Sequence, residues 1–130
     1  MAKLSEEAKK VIGEVRPALV ATAGKDGKPN VSIRYSLRVL DDEHVIFTEI
    51  KTARFYTLAN LKENPKVSAI VFDPATEKGC RIWGKAEILD SGELFDKNVA
   101  ASAARERPPP THVIKIAVEE VVILPGKTTT

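Results

Sequence analysis

Cysteine is almost missing from this chain. Cys80 stands alone, which excludes an internal disulfide framework and any multi-cysteine metal site, and a free thiol suits a reducing compartment. Cys80, His44 and His112 lie far apart in sequence, so no ligand set is spaced for zinc and no metal is expected. Aromatic residues make up only 5% of the chain, which leaves little material for a base-stacking platform. Charge of one sign is also scarce: the net value is +2, too small for the basic footprint of a general nucleic-acid binder. No run approaches the roughly 18 apolar residues that a membrane-spanning helix needs. Met1-Ala2-Lys3-Leu4-Ser5-Glu6-Glu7 lacks the apolar centre of a signal peptide. The expectation is a cytoplasmic protein without nucleic-acid or membrane partners.

The 130 residues form one domain, large enough for a real core and small enough that a partner subunit would add useful burial. Leu4, Ala8, Val11, Ile12 and Val15 recur at helical spacing over about residues 4–16, with Ser5 as N-cap, acidic Glu6 and Glu7 in the first turn and Pro17 as the stop. Ala18–Ala23 is a short apolar run. It leads into Gly24-Lys25-Asp26-Gly27-Lys28, whose Asp-Gly pair supplies the positive φ of a tight hairpin. From Pro29 to Leu40 the chain alternates, which predicts one strand. Val31, Ile33, Tyr35, Leu37 and Val39 form its core face, and Ser32, Arg34, Ser36 and Arg38 its polar face. That polar face suits the solvent side of an antiparallel sheet. It equally suits a ligand floor, with small hydroxyls and a guanidinium fork for phosphate oxygens.

After the polar turn Asp41-Asp42-Glu43, a strand from His44 runs through Phe47 and Thr48 into the loop Lys51-Thr52-Ala53-Arg54. A helix follows with Phe55, Leu58 and Leu61 on one face, stopping at Asn64-Pro65. A helix start leaves backbone N–H groups unpaired and carries partial positive charge, so Lys51, Thr52 and Arg54 there can make an anion site, for phosphate above all. The plainer alternative is a solvated helix start. Val67–Phe72 and Cys80–Leu89 read as further strands, the second with Gly84 as a bulge or close-approach point. The lone Trp83 beside it is a core or interface residue, or a ligand clamp. An Ala-rich helix runs from about Ser91 to Arg105, a Pro-rich linker follows, and His112–Val118 continued by Val121–Leu124 is the last strand. The tail, about residues 125–130, is expected to be disordered or to form a crossing arm.

About six strands punctuated by three helices predict a mainly β, α+β domain: a small antiparallel barrel with helices capping its ends. Edge strands and a small core favour a homodimer. No Gly-x-Ser-x-Gly elbow, His-Glu-x-x-His, Walker-type loop or Gly-x-Gly-x-x-Gly is present. An enzyme built on this chain would therefore draw its reactivity from a bound cofactor, and no catalytic residue is assigned.

The ordered set of the Gly-Lys-Asp-Gly-Lys-Pro hairpin, Asn30-Val31-Ser32-Ile33-Arg34-Tyr35-Ser36, Phe47-Thr48, Lys51-Thr52, Asn60-Leu61-Lys62-Glu63-Asn64-Pro65-Lys66-Val67 and Ile82-Trp83-Gly84-Lys85-Ala86-Glu87 resembles the FMN-binding split β-barrel proteins related to pyridoxamine 5′-phosphate oxidase. The likeness covers about residues 15–124. It implies a homodimer with two FMN molecules at the subunit interface, the flavin ring lying along Ser32, Ile33, Arg34, Tyr35, Ser36 and Leu37, with Phe47 and Thr48 lining it. It places the phosphate on Lys51 and Thr52. A few extra residues before Asn60 leave Arg54 or Thr57 to share that role, and Arg34 can reach in from the adjacent strand. Trp83, with residues of the second subunit, would complete the far wall. The implied activity is that of a small FMN-dependent oxidoreductase or electron carrier, or of a module holding another ligand such as a deazaflavin or haem. Pyridoxamine phosphate oxidase activity itself is not expected, because the chain end Ile123-Leu124-Pro125-Gly126-Lys127-Thr128 has no Arg-x-His stretch for that substrate.

Overall fold

The structure, a computed structural model, describes residues 2–51 and 56–126. Seven strands form one antiparallel sheet: β1 (Ala18–Ala23), β2 (Pro29–Arg34), β3 (Arg38–Asp41), β4 (His44–Ile50), β5 (Lys66–Phe72), β6 (Lys78–Leu89) and β7 (Pro110–Pro125). Their order is β2-β1-β5-β6-β7-β4-β3. The sheet is therefore not closed by a ladder between its end strands, as in a split barrel. Helices α1 (Glu6–Glu14), α2 (Tyr56–Glu63) and α3 (Glu93–Ala104) complete the described elements. None of these helices is long and apolar enough to cross a membrane.

The expected single strand over 29–40 is two. It breaks at Tyr35-Ser36-Leu37, where the chain leaves β2 at one end of the sheet and enters β3 at the other. The apolar–polar alternation of the sequence continues through this crossing although the buried side changes there, so periodicity cannot reveal it. The expected core face holds for Leu37 and Val39, which belong to or pack on the core, and is corrected for the residues before them. Val31 and Ile33 are 63% and 62% exposed and Tyr35 70%, whereas Ser32, Arg34 and Ser36 are half-buried. Alternation marks one face of a strand as dry without saying whether a core or a second molecule keeps it dry. The register fixes the geometry: Ser32 and Arg34 lie opposite Val20 and Ala18 of β1, both fully buried, so they point into the barrel.

The interior is filled by Val20, Val45, Phe47, Ile114, Ile116 and Val118 from the strands, with Ala8 and Ile12 of α1 and Leu58 and Leu61 of α2 closing its ends. The Ser5 Oγ caps α1 by accepting from the Ala8 N–H at 3.1 Å. Gly27 takes φ +80° in the β1–β2 turn, as an Asp-Gly hairpin requires. At Gly84 the β6–β7 register shifts, and a Cβ there would lie 2.3 Å from the Ala117 carbonyl oxygen, so only glycine lets the two backbones approach. Strand β7 is continuous, and Pro125 still pairs with Lys78, so the tail begins later than expected. Lys127–Thr130 lie outside the described residues.

Candidate functional site

The site lies at the seam between the two ends of the sheet. Strands β2 and β4 are separated in the ladder order by four strands, yet their side chains meet across the barrel interior. Arg34 of β2 places Nη1 2.6 Å from Glu49 Oε1 of β4, its Nε donates to Ser32 Oγ at 3.0 Å, and its guanidinium lies 5.0 Å from the centre of the Phe47 ring. The Thr48 amide donates to Ser36 Oγ at 3.0 Å, which extends the β3–β4 pairing beyond Arg38 and Ile46. Helix α2 joins through Thr57, which is buried: its Oγ1 is 3.3 Å from Ser32 Oγ and accepts from Asn30 Nδ2 at 3.4 Å. Hydroxyls, a guanidinium and a carboxylate thus line one interior edge.

Sequence forces this arrangement locally. Phe47 and Glu49 share the inward face of β4 by strand alternation, so the guanidinium of Arg34 meets the ring of one and the carboxylate of the other. The carboxylate is 2% exposed, and burial holds its pKa above the ordinary 4.5, opposed by the charge of Arg34. Although Nη1 is close, no donor among the described residues is aligned on Oε1. The contact is therefore a charge pairing with hydrogen-bonding capacity to spare.

The expected residues divide into three groups. Ser32, Arg34, Thr57 and the Phe47 ring come together at the seam, Ser36 and Thr48 bond to each other in line with the β3–β4 pairing, and Lys51 is exposed immediately beyond β4. Thr52 and Arg54 lie outside the described residues. Ile33, Tyr35 and Trp83 are on the outer face instead. Trp83 pairs with Ser68 of β5, its ring 5.7 Å from the Arg81 guanidinium, and that face carries exposed Ile33 and a shallow hollow of about 180 Å³ lined by Leu19, Val31, Ser68 and Arg81 among others. Within one protomer Trp83 does not reach the polar cluster. Sequence reasoning missed Glu49 and Asn30. Glu49 had a signal, a carboxylate two residues past Phe47 on the apolar face of a buried strand. Nothing in sequence told Asn30 from a turn residue.

Beside this cluster a cleft of about 600 Å³ opens between the β1–β2 hairpin and α2, lined by Lys25, Lys28, Asn30, Tyr56, Asn60 and Glu63 among others. Among the described residues, no group of three or more His, Cys, Asp or Glu is placed to hold a metal ion.

Comparison with known proteins gives a consistent family. HupZ of Group A Streptococcus shares 28% identity with a TM-score of 0.83, over 97% of this chain and 98% of that one. An FMN-binding protein of Syntrophomonas wolfei shares the fold at 19% identity and TM-score 0.78, over 96% of this chain and 88% of that one. The protein MJ0282 of Methanocaldococcus jannaschii is 37% identical over 93 residues, which are 72% of this chain and only 61% of that protein's length. The pyridoxamine 5′-phosphate oxidase family pattern matches residues 4–124; on that match the chain belongs to the pyridoxamine 5′-phosphate oxidase family.

Proposed function

We propose that this protein binds FMN in a homodimer and serves as an oxidoreductase or electron-transfer protein. The observation that carries the reading is the inverted strand β2: hydroxyls and a guanidinium inside at the seam, and bare aliphatic side chains outside. The inner face offers Ser32, Thr57 and Arg34 to a phosphate, with Lys51 beside the opening. The outer face, with Val31, Ile33 and Trp83, is the surface a second protomer would cover. A bound flavin would supply the electron chemistry. The chain's part is to neutralise the phosphate, orient the ring along Ser32–Leu37 and exclude water.

The test is the visible spectrum of the purified chain and its titration with FMN and riboflavin. A yellow protein that bleaches with dithionite and prefers FMN to riboflavin supports the reading, and a colourless chain that cannot be reconstituted overturns it. Charge-assisted contacts contribute about 1.5–3 kcal/mol. Arg34→Ala or Lys51→Ala should therefore weaken FMN binding by roughly tenfold or more.

One observation favours a second cofactor. The cleft bearing Lys25 and Lys28 adjoins Thr57 through Asn30 and Tyr56, which gives room for a deazaflavin that continues past its phosphate. Mass spectrometry of the released ligand separates the two.

A further inference from the structure

A buried carboxylate is out of place in a site meant for an anion. Glu49 is 3% exposed in its side chain, Arg34 17%, so Arg34 is the member of the pair that can reach the opening. Its Nε is already committed to Ser32 and one Nη to Glu49, while Nη2 makes no hydrogen bond among the described residues. An incoming phosphate offers that fork two negative charges and two parallel bonds, whereas Glu49 offers one charge, met through Nη1.

We propose that Glu49 is a resident counter-ion that Arg34 exchanges for the phosphate of an incoming ligand, so that phosphate binding at the seam is coupled to uptake of one proton by the Glu49 carboxyl. The balance is simple. Arg34 keeps its charge and transfers its pairing from carboxylate to phosphate. Glu49, left buried without a cation, takes a proton from solvent onto a carboxyl oxygen and becomes a neutral hydrogen-bond donor. A buried carboxyl without a counter-charge can hold its proton up to about pH 8–9, and burial already moves Glu49 in that direction. Among the described residues, the titratable groups nearest to Glu49 in sequence and register are His112, opposite it on β7, and Lys51, two residues on; Arg38 of β3 and Lys115 of β7 both lie opposite Ile46, further along β4. Helix α2 presents the uncharged Thr57. Of these neighbours Arg34 is the charge that acts on Glu49. Glu49 is thus a positioning residue, acting through Arg34, and it sets how much negative charge the seam accepts at a given pH.

The inference rests on the seam being the phosphate end of the ligand, and its test is separable from the flavin reading. Calorimetric titration of the full chain with FMN at about pH 8, in two buffers of different ionisation heat, counts the protons exchanged; the phosphate monoester is already dianionic there, its second pKa being about 6. Wild type should take up about half a proton or more per FMN, in line with a vacated buried carboxyl. Glu49→Gln should take up none and bind FMN at least about tenfold more tightly at that pH, with the advantage shrinking as pH falls. No proton uptake by wild type, or weaker binding by Glu49→Gln, overturns the proposal. If Glu49→Gln does not fold, or wild type binds no FMN and the flavin reading itself fails, the carboxyl carbon of Glu49 is followed by NMR in wild type with and without saturating inorganic phosphate. A titration midpoint raised by phosphate supports the exchange; an unmoved midpoint overturns it.

Discussion

Val31 provides the sharpest test of the subunit arrangement, because it is exposed in the protomer and its side chain takes no part in the polar cluster. Complete burial of a valine or isoleucine side chain contributes about 1.5–3 kcal/mol. Val31 is 63% exposed, so covering that fraction is worth roughly 1–2 kcal/mol. Alanine keeps the β-carbon, so Val31→Ala removes two methyl groups of about 0.8 kcal/mol each; scaled to the exposed fraction and counted twice in a two-fold interface, this should cost roughly 2 kcal/mol of association and raise the dimer Kd by about 30-fold. Val31→Asp adds the desolvation of a carboxylate on each side and should leave a monomer. Sedimentation equilibrium over a dilution series reads both, and thermal melting followed by circular dichroism checks that the substituted chain still folds cooperatively. A wild type that stays monomeric at the highest concentration, or a Val31→Asp dimer with unchanged Kd, refutes the reasoning. A monomeric Val31→Asp that still binds FMN at full affinity would keep the seam and remove the second subunit from the cofactor site.

Three other outcomes follow from the packing. Gly84→Ala forces a methyl group to within 2.3 Å of the Ala117 carbonyl oxygen and 2.7 Å of Ile116 Cγ2; a loss of about 1–3 kcal/mol in urea unfolding is expected, and unchanged stability would mean that β6 and β7 part easily. Burial pushes the Cys80 thiol up to about 11, so a disulfide reagent near neutral pH should label it only after denaturant is added; rapid labelling of the native chain would place it at the surface. Glu49 ionises less readily folded than unfolded. Its ionisation therefore penalises the native state as pH rises from the ordinary 4.5 through the raised folded value, and the penalty is absent below that window. Wild type should lose more stability than Glu49→Gln over this rise, and parallel urea midpoints against pH would count against it.

Much of the architecture could be read from local chemistry. Ser5 caps α1, Asp26-Gly27 turns the hairpin, Pro65 stops α2, and Gly84 marks the place where two strands touch; each of these is a backbone requirement met by a residue within a few positions of it. What escaped was set by residues distant in sequence. The crossing at Tyr35–Leu37 depends on where β1 and β4 find their own partners, and alternation is silent about that. The outward turn of Val31 and Ile33 depends on Ala18 and Val20 taking the interior first. Glu49 was passed over because a single carboxylate in a strand reads as solvated; its role appears only when Arg34 arrives from fifteen positions earlier in the chain. The candidate site was therefore legible as a set of residue types and illegible as a charge balance.

Strand β2 is costly from the standpoint of a lone protomer. Its aliphatic side chains gain nothing while they face water, and its inner face holds an ion pair whose desolvation can match or exceed its attraction. A strand optimised for stability would be turned the other way, with one residue of register slip sufficient to do it. The arrangement makes physical sense once two further bodies are added: apolar surface to cover Val31 and Ile33, and an anion to meet Arg34. If so, the seam is maintained by binding and not by folding, and the two can be separated. Replacing the pair together, Arg34→Met with Glu49→Leu, should leave the chain as stable as before or more stable by about 1–4 kcal/mol, while FMN binding weakens by roughly tenfold or more and riboflavin binding is unchanged. A double variant that unfolds would show instead that the ion pair closes the barrel, with Arg34 and Glu49 acting as the missing ladder between β2 and β4.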